Sequence, residues 1–91
     1  MQLSNEEEDY SLSLSKFESM LKTNKVFFFD SEEFEEIILH YLDIGKANLA
    51  KKALKLALDQ HPKSTGLKLV QVEMLVYDDK LDLAEKMLNE L

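Results

Sequence analysis

The chain has 91 residues, 45% of them hydrophobic, with two Gly, one Pro and no Cys; this bounds it to one ordered, mainly helical domain and excludes disulfides, thiol nucleophiles and cysteine-ligated zinc. Eighteen acids against 11 bases leave a net charge of −7, the opposite of the basic face that nucleic-acid binders present to phosphates. No apolar run approaches the ~18 residues of a membrane span, and residues 1–10 lack the basic flank and apolar stretch of a signal peptide, so the expectation is a cytoplasmic protein with no membrane partner.

Residues 1–12, with Glu6-Glu7-Glu8-Asp9, are expected to be an acidic, flexible N-terminus, and residues 13–91 a single helical domain. Ser15-Lys16-Phe17-Glu18 has the form of a capping box, and Phe17, Met20 and Leu21 follow at helical spacing, so a short helix is expected over 15–24 with Asn24 and Lys25 at its end. Val26-Phe27-Phe28-Phe29 favours extended backbone, and with no second strand to pair with, it reads as a buried linker. Asp30 and Glu33 form the next capping box, with Phe29 and Phe34 placed as a hydrophobic staple. Phe34, Ile37, Ile38, Tyr41 and Leu42 then make an apolar stripe that ends at Gly45, where left-handed backbone costs least. A further helix over about 47–60 turns Ala50, Ala53, Leu54, Ala57 and Leu58 inward and stops before Pro62. A second pair follows, with Leu67, Val70, Met74 and Leu75, a turn at Asp78-Asp79, and Leu83, Ala84, Met87, Leu88 and Leu91.

These two pairs repeat. A shift of 34 residues lays residues 46–54 on residues 80–88 with five identities, at Lys46, Leu49, Ala50, Lys52 and Leu54. A period of that size marks a helical hairpin that stacks on copies of itself to complete its core. Phe34, Ile37, Tyr41, Ala50, Leu54, Ala57 and Pro62 resemble the tetratricopeptide repeat (TPR) pattern of Trp, Leu, Gly and Tyr followed by Ala, an aromatic, Ala and Pro. Ile38 departs from it, standing where the family has Gly or another small residue, and is expected to widen the helix contact. The second copy, about 65–91, is partial, because Lys68 and Gln71 replace the Trp and Leu of the pattern, and its first helix is expected to pack less deeply. The resemblance covers about 31–91, with repeat one over 31–64, and makes the helix at 15–24 a cap. It implies an all-α fold of antiparallel helical hairpins stacked as a short right-handed superhelix.

Little in the chain suggests catalysis. Glu36 and His40 are four residues apart, a spacing that metal-binding pairs use, but no third or fourth ligand accompanies them, so no metal or cofactor is expected. His61 ends a helix, where a cationic side chain suits the dipole, and Ser64 and Thr65 lie on an ordinary turn. Glu32, Glu33, Glu35 and Glu36 complement a helix N-terminus rather than form an acid–base pair. No glycine-rich phosphate loop exists, and no catalytic residue is assigned.

Charge is segregated instead. Residues 31–43 hold five acids and no Lys, whereas residues 46–58 hold Lys46, Lys51, Lys52 and Lys55 and no acid. In the family resembled, first helices line a concave groove and second helices its back, which implies an acidic groove suited to a basic or apolar ligand. Groove residues by this resemblance are Glu35, Leu39, Leu42, Asp43, Leu69, Glu73, Val76 and Tyr77. Glu35 and Leu39 stand where TPR clamps for acidic chaperone tails place Lys and Asn, which disfavours that ligand. Leu39, Leu42, Val76 and Tyr77 suit an amphipathic helix or apolar peptide. The function expected is a non-enzymatic protein-interaction scaffold, the N-terminal part of a longer repeat protein. The alternative is a self-assembling homodimer whose groove or last hairpin is filled by another copy, with Leu83, Met87, Leu88 and Leu91 as its self-association residues.

Overall fold

A computed structural model describes residues 5–91, with side chains from Leu12 onward. It forms five helices: α1 (Asn5–Thr23), α2 (Ser31–Asp43), α3 (Ala47–Gln60), α4 (Thr65–Tyr77) and α5 (Leu81–Asn89). Among the described residues there is no strand, so the fold is all-α. α2 packs on α3 and α4 on α5, making two hairpins. The second stacks on the first through α4, which touches both α2 and α3, while α1 covers another side of α2.

The two hairpin turns are chemical copies. Gly45 donates to the Leu42 carbonyl at 3.1 Å and Lys46 to that of Tyr41 at 2.8 Å; 34 residues on, Asp79 donates to Val76 at 3.0 Å and Lys80 to Leu75 at 2.8 Å. Both turns need a left-handed residue after the helix, supplied by Gly45 at φ 77° and by Asp79 at φ 60°. Asn24 takes the same conformation, φ 58°, just past α1. At the helix starts, Glu33 accepts the Asp30 N–H at 3.0 Å in the expected capping box, and Ser64 Oγ accepts the Leu67 N–H at 3.2 Å.

α1 corrects one expectation. It begins at Asn5, not near Ser15, and Ser15 is an interior helical residue. Residues 5–12 therefore belong to the helix, and residues 1–4 of the expected flexible end lie outside the described residues. The helix continues through the Ser15–Glu18 box because Ser13, Phe17 and Met20 form one buried stripe. Ser13 holds its apolar-stripe position by donating to Glu33 Oε2 at 2.5 Å.

The linker is only half as buried as expected. Phe29 is buried and Phe27 half-buried, but Val26 and Phe28 point to solvent, because extended backbone turns alternate side chains to opposite faces. Phe29 joins an aromatic chain, 5.1 Å from Phe34 and 6.1 Å from Phe17, whose ring lies 6.0 Å from Tyr41. Two residues at the end of α3 take the place of a strand partner. Gln60 accepts the Phe29 N–H at 3.2 Å and donates to the Phe27 carbonyl at 2.8 Å. His61 Nε2 donates to the Phe29 carbonyl at 2.6 Å, so its work is holding the linker in addition to ending the helix.

Ile37, Ile38, Ala50, Ala53, Leu54 and Ala57 complete the first core, and Ile38 is fully enclosed despite its bulk. The second hairpin buries less: Leu67, Val70 and Met74 from α4 and Ala84 alone from α5. Lys68 and Gln71, where Phe34 and Ile37 stand in the first copy, are half-buried. Lys51 and Asp78 pair at 3.0 Å, tying α3 to the second hairpin's turn.

Candidate functional site

Parallel stacking of α2 and α4 leaves a groove of about 540 Å³ between them. Its lining is Glu36, Leu39, His40, Leu42 and Asp43 from α2 with Glu73 and Tyr77 from α4. The residues recur at three- and four-residue steps because only one face of each helix reaches the groove. Leu39 and Tyr77 are 41% and 66% exposed, while Leu42 is buried and forms the floor. Three carboxylates and no Lys or Arg line this space. A second recess of about 410 Å³ lies between α1 and α2, lined by Leu12, Ser13, Lys16, Asp30, Glu33 and Glu36. Glu36 belongs to both, so the acidic groove passes into a mixed one across a single side chain.

Leu39, Leu42, Asp43, Glu73 and Tyr77 are brought together as the sequence suggests. Glu35, Leu69 and Val76 are not in that lining. Glu35 turns toward Gly66 at the start of α4, where a Cβ would come within 2.7 Å of Glu35 Oε2. Burial there, with Glu32 and Glu36 beside it, raises the Glu35 pKa from its ordinary value. Leu69 and Val76 are exposed on α4 beside Glu73 but outside that lining. Sequence reasoning missed Glu36 and His40 as groove residues. The signal was present, since both lie one helical step from Leu39 or Asp43 on the same face. The His40 ring also packs edge-on against Tyr41 at 5.6 Å.

Glu33 is occupied elsewhere. It accepts from Ser13 Oγ and from the Asp30 N–H, with Lys16 nearby, and these lower its pKa. Lys16 in turn donates to the Phe28 carbonyl at 3.0 Å and sits 4.7 Å above the Phe29 ring, so it anchors the linker to α1.

Ser64 Oγ caps α4 and His61 Nε2 faces Phe29, so the two do not form a nucleophile–base pair. Among the described residues, no group of three or more His, Asp or Glu side chains is placed to hold a metal, and no helix is long and apolar enough to cross a membrane. The back of the first hairpin carries Lys51, Lys52 and Lys55, all exposed on α3. Compared with protein-family models, with curated proteins and with solved structures, the chain matches none.

Proposed function

We propose that the chain is a non-enzymatic protein-binding module, a cytoplasmic TPR-like unit in a right-handed superhelical stack, whose α2–α4 groove holds a basic or apolar peptide or helix of a partner protein. The observation that carries this reading is the groove lining. Leu39 and Tyr77 stand exposed beside a buried floor at Leu42, ringed by Glu36, Asp43 and Glu73. Exposed apolar groups concentrated in one concave place mark a binding surface, and a carboxylate ring with no Lys or Arg among its described lining residues favours a positively charged ligand.

The test is capture from native lysate by the chain and by variants on its two sides. Leu39→Lys and Tyr77→Ala should abolish capture while helicity persists, and Lys55→Glu on the back should leave capture intact. Raising the salt concentration should weaken capture, since the attraction includes exposed charges. A captured protein retained by both groove variants and lost with Lys55→Glu would move the binding surface to the back and refute the groove.

A further inference from the structure

α1 and α3 both pack on α2, but their backbones do not approach one another. A furrow is left between them, with the buried Tyr41 of α2 at its base. Two recesses, of about 190 Å³ and about 200 Å³, make up the furrow and share Leu21 of α1. Leu49 and Leu56 of α3 form the opposite wall, two helical turns apart on one face. All three leucines are half-buried, packed on the core with one side and open to the furrow with the other.

Lysine stands on both banks. Lys22 lies in the last turn of α1 and Lys25 just past it, while Lys46 and Lys52 flank Leu49 on α3. The lining holds one carboxylate, Glu18, so four lysines leave an excess of three positive charges in a chain of net charge −7. Asp59, one helical step past Leu56, is offset by Lys55 beside it. The four lysines are exposed, and among the described residues none is paired with a carboxylate. The ion pair of α3 is made by Lys51, toward Asp78 of the second hairpin.

The floor decides what kind of anion fits. A nucleic acid strand would meet the lysines but leave the leucines wet, and the net charge of the chain repels it at a distance. A flat membrane surface does not reach leucines recessed between lysine stems. A helix laid between α1 and α3 meets both features, its apolar stripe on the floor and its flanks against the banks. We propose that the α1–α3 furrow holds an acidic amphipathic helix of a partner protein. Its apolar stripe covers Leu21, Leu49 and Leu56, and carboxylates on either side of that stripe pair with Lys22 and Lys25 on one bank and Lys46 and Lys52 on the other. The furrow is opposite in charge to the α2–α4 groove, so one ligand does not suit both, and the site stands whether or not the groove is occupied.

A synthetic helical peptide of about 14 residues, four turns with a Leu stripe and Glu on both flanks, tests the proposal. Added to the 91-residue chain, it should shift the methyl resonances of Leu21, Val26, Leu49 and Leu56 together, and less so as salt is raised. Lys22→Glu and Lys52→Glu should each weaken binding about tenfold with unchanged helical circular dichroism, since reversal removes an attraction and adds a repulsion. Lys86→Glu on α5 and Leu39→Lys in the groove should leave the affinity unchanged. A peptide with Ser in place of its Leu stripe should not bind. Equal binding by that Ser peptide, or no shift of the furrow methyls at millimolar Glu peptide, overturns the proposal. So do phosphatidylserine vesicles or a poly-thymidine strand that shift these methyls where the peptide does not, which would assign the lysines to a membrane or a nucleic acid. Movement of the same methyls on dilution of the chain alone overturns it too, because the occupant would then be a second copy.

Discussion

The two glycines show how little residue identity says without its surroundings. Gly45 has φ 77° and open space where a Cβ would be, so only backbone conformation holds glycine there. Gly45→Ala should therefore cost about 1 kcal/mol, the left-handed penalty offset in part by a less flexible unfolded chain. Gly66 is an ordinary helical residue whose Cβ would meet the end of the flexible Glu35 side chain. Gly66→Ala should instead stabilise by up to about 1 kcal/mol through helix propensity, with Glu35 moving into water. Urea titration of both variants checks the opposite signs. Glu33 and Glu35 form a second opposed pair. The Glu33 pKa is lowered, so its stabilising effect is present above the ordinary carboxylate pKa and is lost as pH falls through the folded value. The Glu35 pKa is raised, so ionisation is opposed in the fold and stability is lost as pH rises through the folded value. Thermal melts at neutral pH should show Glu33→Gln less stable and Glu35→Gln more stable than the parent. Both differences should close in acid, below the pKa of either folded carboxylate.

At the scale of elements, what was legible in the sequence was whatever is encoded locally. The α2 capping box, the Phe29–Phe34 staple, the turns at Gly45 and Asp79 and the inward alanines of α3 all depend on residues a few places apart, and the structure has them where the spacing puts them. Ala50 is fully buried, so Ala50→Leu should overpack the hairpin and cost about 1–3 kcal/mol in denaturant. What was hidden depends on distant partners. Ser15–Glu18 imitates a helix start, and only the packing of Ser13 and Phe17 against the rest of the fold shows that the helix runs through it. Which of four apolar linker residues turns inward is settled by Gln60 and His61, more than thirty positions away. Glu35 leaves the groove because Gly66 makes room for it, a pairing no local pattern contains. The linker's dependence is testable. Gln60→Ala removes both its bonds to Phe27 and Phe29, and should cost about 1–2 kcal/mol, toward the lower end for groups that water can partly reach. Amide exchange at Phe29 should accelerate in that variant while α2 stays protected; equal protection at Phe29 would mean that the bond does not hold the linker.

Across the whole molecule, stability is distributed unevenly in a way that follows from the repeat. The aromatic chain of Phe17, Phe29, Phe34 and Tyr41 fastens α1 and the linker to the first hairpin, whereas the second hairpin has no aromatic in its core. α5 is nine residues long and buries only Ala84. Helices shorter than about 12–15 residues are marginal alone, so α5 is folded by what packs on it. In repeat architectures, stability is a sum of each unit and its neighbour interfaces, and a unit with one covered side opens first. Native-state hydrogen exchange in dilute solution should accordingly show α5 least protected among α2 to α5, with α2 and α3 retaining the highest protection. Met74→Ala, which removes the buried contact near the end of α4, should lower protection in α4 and α5 while leaving α2 and α3 nearly unchanged. Protection of α5 equal to that of α3 in dilute solution, or a uniform loss across both hairpins in Met74→Ala, would show one cooperative unit and defeat the stepwise account. If instead protection in α5 rises steeply with protein concentration while that of α3 does not, the neighbour that α5 lacks in dilute solution is a second copy.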